Sequence, residues 1–305
     1  MRKNSRLFSC ILIWSFVFST LTVNVGGDEK ATPINDFFAD YALVAPPKPV
    51  YLPIIMYHQI SRIYSRLDTY IISDEEFESD LKLLKDNGYT TITTKELTDF
   101  VLKKEPLPDK PVMLTFDDGF QSDYIYAFPL LQKYNMKAIF SIIGKYTDMF
   151  SEADVVKHVN YAHLSWEEIK QMNDSGLAEF QNHTYDMHVV DKRRGALPRK
   201  HESDEEYQRT IRNDLGKLNE EYKMHIGVEP VAFTCPFGCF NDRLKEAVRD
   251  AGFSIIFTSY QNINKLSGDP EELMKLNRFL RSHNKNVEKL INSWEEFYSV
   301  DNTKN

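Results

Sequence analysis

Two adjacent carboxylates and two histidines five positions apart are the residues of this chain best suited to chemistry. Asp117 and Asp118 close the run Pro111-Val112-Met113-Leu114-Thr115-Phe116 and are followed at once by Gly119. A short apolar run bounded by turn signals reads as a buried strand. The aspartates then fall at the strand's carboxyl end, where open α/β sheets and α/β barrels hold their chemistry. Side chains alternate along a strand, so Asp117 and Asp118 are expected to point in different directions. That suits two roles, a metal ligand and a base; an Asp-Asp-Gly turn capping the next helix is the structural alternative. His183 and His188 leave a second strand, Ala178-Glu179-Phe180-Gln181. A five-residue spacing does not place them on one helix face, but on a loop they can converge. With Asp118 they form two imidazoles and a carboxylate, a set that leaves coordination positions open for water and substrate. Zn2+ suits these ligands, and Co2+, Ni2+ or Fe2+ also fits. Ordinary loop histidines are the plain alternative.

The elements that must position these groups alternate between strand and helix. Leu52–Tyr57 reads as the first strand and ends at His58. Ser73 and Glu76 form a capping box for a helix carrying Phe77, Leu81 and Leu84 on one face. Thr90–Ile92 reads as a strand, Thr94–Lys103 as a helix, Tyr124–Tyr134 as a helix and Ala138–Ile143 as a strand. Ser165 and Glu168 make a second capping box. The charged stretch Arg193–Glu206 reads as a surface excursion before a helix over Tyr207–Tyr222. A strand over Val231–Thr234 leads into Cys235-Pro236-Phe237-Gly238. A helix (Asp242–Ala251), two strands (Ser254–Thr258 and Leu276–Leu280) and an amphipathic tail helix (Val287–Tyr298) complete the chain. The expectation is an α/β fold, a distorted, incomplete (β/α) barrel with polar clusters at its strand ends.

Ahead of this lies a basic start, Met1–Arg6, and an uncharged apolar run over residues 7–23, which reads as a secretory signal peptide or a membrane anchor. Residues 1–27 are assigned to that segment, 28–49 to a linker and 50–300 to the catalytic domain. The expected location is secreted, or anchored at the outer face of the cell membrane through residues 7–23. A net charge of −8 gives no sign of a nucleic-acid partner, and a monomer is expected. Cys235 and Cys239 are the two cysteines outside the amino-terminal segment, and in an oxidising compartment they could bridge.

Thr115-Phe116-Asp117-Asp118-Gly119, followed by His183-Thr184 and His188, resembles the NodB-type polysaccharide deacetylases, the family 4 carbohydrate esterases. The resemblance runs from about Pro53 to Phe297. Cys235-Pro236-Phe237-Gly238 is similar to the family's Y-P-x-G stretch, with cysteine in place of tyrosine. The resemblance implies a distorted (β/α) barrel, a divalent metal, and removal of acetyl groups from N-acetylated glycans. It implies Asp117 as general base and Asp118, His183 and His188 as ligands. The histidine spacing is one longer than the common H-x-x-x-H, as in the branch acting on poly-N-acetylglucosamine. That branch is circularly permuted, and Met56-Tyr57-His58 near the start puts His58 in the place of the acid, with His283 next in line. An arginine beside the base is also implied, and Arg278 is the candidate.

The chemistry follows. An acetamide is a poor electrophile and its amine leaves only when protonated. Metal activation of the carbonyl and of water, with Asp117 as base, addresses the first difficulty, and His58 as acid the second. A backbone N–H at Phe237, beside Pro236, would meet the oxyanion. Tyr57, Tyr185 and Phe237 would offer stacking faces to sugar rings. The polymer substrate is expected to be poly-N-acetylglucosamine, peptidoglycan or a chitin-like glycan. The rivals are an acetylxylan-type O-deacetylase, a non-heme iron oxygenase, which strand–helix alternation disfavours, and a catalytically silent glycan-binding module.

Overall fold

The computed structural model describes residues 49–152 and 155–302. The apolar run 7–23 lies outside these residues, and among the described helices none is long and apolar enough to cross a membrane.

Pro53 splits the first strand into β1 (Val50–Leu52) and β2 (Ile54–Tyr57), followed by the short β3 (Gln59–Ile60) and β4 (Ile71–Ile72). Then come α1 (Asp74–Asp86), β5 (Thr90–Thr91), α2 (Thr94–Lys103) and the long β6 (Pro111–Asp118). After a wide helical turn over Asp123–Ala127 come α3 (Phe128–Tyr134), β7 (Ala138–Ile142), α4 (Gly144–Ser151), α5 (Trp166–Asp174) and β8 (Ala178–Asn182). The chain continues through α6 (Asp204–Ile226), β9 (Ala232–Thr234), α7 (Asp242–Asp250), β10 (Ile255–Phe257) and β11 (Asn264–Leu266). β12 (Phe279–Leu280) and α8 (Val287–Asn302) complete it.

Both expected capping boxes are present. Ser73 Oγ accepts from the Glu76 N–H at 3.1 Å while the Glu76 carboxylate accepts from the Ser73 N–H at 3.1 Å, and Ser165 and Glu168 do the same for α5. Such reciprocal bonds satisfy donors that a helix start leaves open.

The main sheet runs β10-β9-β8-β7-β6-β2-β12, all parallel, with β5 paired to the start of β6. It curls into an incomplete (β/α) barrel. Alternation divides β6 between two cores. Val112, Leu114 and Phe116 face outward and pack with Phe77 and Leu81 of α1, Leu131 of α3 and Ile169 of α5. Met113 faces the barrel interior with Ile54, Ile139, Ala232 and Ile255. Register lines up Tyr57, Phe116, Phe140 and Phe180 in one row across four strands. Their rings stack at 5.1, 4.9 and 5.6 Å between centroids. Offset aromatic pairs of this kind add about 0.5–1.5 kcal/mol each beyond the area they bury, so the row locks the register of the strands that carry the site.

One thin stave spans the gap between the sheet's two edges. Leu276 exchanges backbone bonds with Ile256 and Thr258 beside β10, both at 2.8 Å, while Phe279 and Leu280 pair with β2. Arg278 sits between, in the middle of that seam. The stretch read as a surface excursion over 193–206 is partly buried. Arg193 and Glu202 pair at 2.5 Å with both side chains inside, and Ala196 is covered.

Candidate metal and acid–base centre

Four strand ends meet at one cleft of about 530 Å³, lined among others by His58, Asp117, Asp118, His183, His188, Phe237 and Arg278. His58 follows β2, the aspartates end β6, His183 follows β8, and Phe237 lies in the turn after β9. Among the described residues, Asp118, His183 and His188 form the one cluster of three metal-binding side chains, with ligand atoms all within 4.8 Å of one another.

The two separations from Asp118 match those around a single ion. The Asp118 Oδ1 atom lies 3.5 Å from His183 Nε2 and 3.4 Å from His188 Nε2. Ligands each about 2.0–2.2 Å from one tetrahedral ion sit about 3.3–3.6 Å apart. His183 Nδ1 is 2.8 Å from the Thr234 carbonyl. A carbonyl only accepts, so Nδ1 carries the proton and Nε2 presents its lone pair to the cluster. Asp118 Oδ1 is buried with no hydrogen-bond partner, an orphaned acceptor of the kind a cation would satisfy.

The local electrostatics prepare the donors. Burial works against the Asp118 charge, but the close approach of His183, with His58 and His188 adding to it, outweighs burial and holds the carboxyl well below its ordinary range. Burial pushes His188 down to about 4, with His183 adding to the effect, so this imidazole is neutral and ready to bind. Burial also opposes the charged form of His183, yet Asp118 and Asp117 together raise it above the ordinary histidine value.

Asp117 is 3% exposed. Arg278 grips it with two parallel bonds, Nη1 to Oδ1 and Nη2 to Oδ2, both 2.7 Å, while donating from Nε to the Thr258 carbonyl at 2.8 Å and from Nη1 to Thr115 Oγ1 at 3.2 Å. Burial pushes the Asp117 carboxyl up, and the Arg278 charge and hydrogen bonds more than reverse this, so it is held ionised. Arg278 starts low in the barrel, one residue before the pairing of Phe279 with Ile55, and runs up the interior to reach a residue 161 positions earlier.

The two aspartates do not point to opposite faces as simple alternation predicts; both line the cleft. The reason is local. Asp118 has φ +69°, a left-handed conformation that breaks the strand and redirects its side chain. Thr184 (φ +76°) and Phe237 (φ +58°), in the turns that follow β8 and β9, are left-handed as well. Non-glycine residues held this way store backbone strain, which gathers at functional sites. His163 steadies the first of them. Its Nδ1 lies 2.9 Å from the Asp118 carbonyl, and its ring packs against Phe120 at 4.9 Å and Tyr146 at 4.6 Å. Sequence reading passed over His163, and its isolated position offers no signal. Gly119 follows with φ +71°, and a Cβ there would stand 2.7 Å from Ile142 Cγ2.

His58 reaches the cleft with Nδ1 buried and unpartnered and its ring edge-on to Tyr70 at 4.9 Å. Burial outweighs the pull of Asp117 and Asp118 and lowers its pKa, so it is not a standing imidazolium. His283 lies outside the cleft and bonds Glu76 Oε2 through Nδ1 at 2.8 Å.

Several expectations are corrected. Tyr57 is no sugar-facing ring: next to inward-facing Met56 and His58 it points outward, 1% exposed, stacked on Phe116 with its hydroxyl donating to Asp80 at 3.2 Å. Pro236 is buried and does not line the cleft; it buttresses Gly195, where a Cβ would lie 3.0 Å from the proline ring. Tyr185 is engaged by Asp148 and Lys217 away from the cleft. Phe237 does form a wall, 40% exposed, its ring 4.3 Å from His188. Among the described residues Cys235 and Cys239 form no disulfide.

The family model for polysaccharide deacetylases matches residues 104–256, the span that holds the aspartate pair, both histidines and the Phe237 turn. The Bacillus subtilis protein YxkH is 34% identical over 218 residues, covering 72% of this chain and 68% of its own. The chain is a member of the polysaccharide deacetylase family. Among other deacetylases, the poly-beta-1,6-N-acetyl-D-glucosamine N-deacetylase of Escherichia coli is 28% identical over 221 residues, or 65% of this chain. This chain spans about a third, 33%, of that longer relative. The solved structure of IcaB from Ammonifex degensii is 30% identical with a TM-score of 0.63, covering 76% of this chain and 92% of that chain.

Proposed function

We propose that this deacetylase is a metal-dependent, extracellular hydrolase that removes N-acetyl groups from a polysaccharide containing N-acetylglucosamine, with poly-β-1,6-N-acetylglucosamine as first candidate. The observation that carries the reading is the juxtaposition of a three-ligand cluster with an ionised, arginine-clamped carboxylate in one cleft. A glycan-binding module has no need of a base held beside such a cluster. The name of the Escherichia coli relative supports the polymer. The arrangement of residues 1–27 as an export segment, 28–49 as a linker and 50–300 as a monomeric catalytic domain belongs to the same proposal.

Asp118, His183 and His188 would hold the divalent ion, most simply Zn2+. A bound ion of this kind polarises a carbonyl and lowers the pKa of water towards about 7. Asp117, kept ionised by Arg278, takes the proton of the attacking water. The bidentate clamp fixes the carboxylate's direction, so orientation is settled before substrate arrives. The positive-φ turn presents the Phe237 backbone to the cleft as donor to the developing oxyanion. His58, neutral at rest, delivers to the leaving nitrogen a proton it gains within the turnover. Acetate and a free amine result.

The test is acetate release from β-1,6-linked N-acetylglucosamine oligomers, chitin oligomers, peptidoglycan and acetylxylan, with and without a chelator. Chelator-sensitive release from an N-acetylated glycan is expected. Release from acetylxylan alone would make the enzyme an O-deacetylase, and chelator-resistant release would remove the metal from the reading.

A further inference from the structure

A second cavity of about 590 Å³ adjoins the catalytic cleft and is not used by the chemistry above. The two share Gln261 and Leu280 as a common wall. The strand-connecting segment 68–70 lies between them too, for Asp68 and Tyr70 line the cleft while Thr69 lines the second cavity. A polymer with one sugar at the catalytic centre therefore has a neighbouring sugar within reach of this space. The lining mixes hydroxyls and amides with the aliphatic surface of Leu280 and Leu290, the mixture that a sugar's hydroxyl edge and C–H face require.

The wall also holds an acceptor with nothing to accept. Asp80 is fully buried; its Oδ2 takes Arg281 Nε at 2.6 Å and the Tyr57 hydroxyl at 3.2 Å, while Oδ1 has no partner. A buried polar atom without a partner marks a place for a ligand or water.

Charge sets the selectivity. The carboxylates of Asp80 and Glu76 are both answered from within, by Arg281 and, for Glu76, also by His283 and the backbone N–H groups of Ser73 and Asn284. Lys285 and Lys289 are exposed on the same cavity, and neither makes an ion pair with any described residue. The rim is left positive.

We propose that this cavity is a subsite for the sugar next to the one being deacetylated, and that Lys285 and Lys289 make it accept an N-acetylated neighbour and exclude a glucosamine, whose ammonium carries the same charge. The product of one turnover is then disfavoured beside the next, and deacetylation is spaced along the polymer instead of running in blocks. The polymer and the spacing of deacetylation rest on the deacetylase reading; the cavity's preference for an uncharged sugar does not.

Binding tests it without turnover. In an Asp117→Asn background, calorimetry compares a fully acetylated β-1,6-linked pentamer with two isomers carrying one free amine, on either side of the central sugar. One isomer is expected to bind about threefold to tenfold more weakly than the acetylated pentamer, the range for a few exposed charges. The gap is expected to close in K285Q/K289Q and to narrow at high salt. Equal binding of all three pentamers, a gap that survives K285Q/K289Q, or no binding at all would overturn the subsite. Acetate release by the unmutated enzyme judges the other reading separately: a lysine-dependent gap with no acetate from any glycan would leave the subsite standing and remove the deacetylase assignment.

Discussion

Arg278 and Asp117 meet with almost no solvent, 1% and 4% of their side chains exposed, so changing either has a large cost. Arg278→Met leaves a buried carboxylate uncompensated, which costs about 3–5 kcal/mol in such pairs. The same removal leaves burial as the dominant influence on Asp117, so its pKa rises and the acid limb of kcat/KM moves to higher pH. Chemical denaturation and a pH–rate profile check the two effects, and Asp117→Asn added to Arg278→Met should recover part of the stability. Metal uptake has a matching signature. Asp118 is already ionised and His188, pushed down to about 4, is already neutral. Only His183, raised above its ordinary value, gives up a proton. Zinc affinity should therefore fall about tenfold per pH unit once pH drops below the raised His183 value and on toward 5, the slope for one displaced proton and not two. Competition titrations at several pH values measure that slope. The aspartates and histidines that gather at the cleft were legible in the sequence because each lies in a compact motif. The clamp was visible only by resemblance, since no local pattern ties residue 278 to residue 117.

The elements explain why those motifs work. Three strands of the sheet, β6, β8 and β9, end in or lead into left-handed residues, Asp118, Thr184 and Phe237, and each is held by neighbours. Thr184 donates its N–H to Asn182 Oδ1 at 2.8 Å and accepts the Met187 N–H on its hydroxyl at 3.2 Å. Gly119 completes the first turn under Ile142. Gly119→Ala should cost about 1–3 kcal/mol through strain and overpacking and weaken zinc binding, because the backbone carrying Asp118 must shift; denaturation and metal titration of the one variant read both. Hydrophobic periodicity gave most of the strand–helix order, and the capping boxes fixed the starts of α1 and α5. It failed where the backbone departs from regular geometry. A strand was assumed to keep alternating through Asp118, and it does not. Alternation was not applied to Tyr57, and it holds there. Helix α4 went unread because Ile143, at its start, supplies no side-chain cap. Strand β11 is three residues long and pairs only with β1.

At the scale of the whole molecule, the barrel is closed by its last pieces. Helix α8 buries Trp294 completely, against Phe279 of β12 at 5.6 Å and Tyr89 at 5.8 Å. Trp294→Ala should cost about 3–5 kcal/mol, the usual loss for a large buried ring, and lower turnover as well, because Phe279 adjoins the arginine that orients the base. Urea unfolding followed by tryptophan-independent circular dichroism, with acetate release on the same sample, checks this. Composition and charge gave no sign of a nucleic-acid partner and could not reveal the second cavity, whose walls come from segments around residues 69, 80, 261 and 285.

The seam through Arg278 also has a consequence for biosynthesis. The acid candidate comes from the first strand to be made and the base's partner from the last, with Asp117, His183 and Phe237 between them in chain order. A growing chain therefore carries the cluster of Asp118, His183 and His188 long before it carries the arginine that clamps Asp117. The cleft is complete only when the segment around Arg278 has been laid across the gap, so a partly made chain never holds the whole constellation.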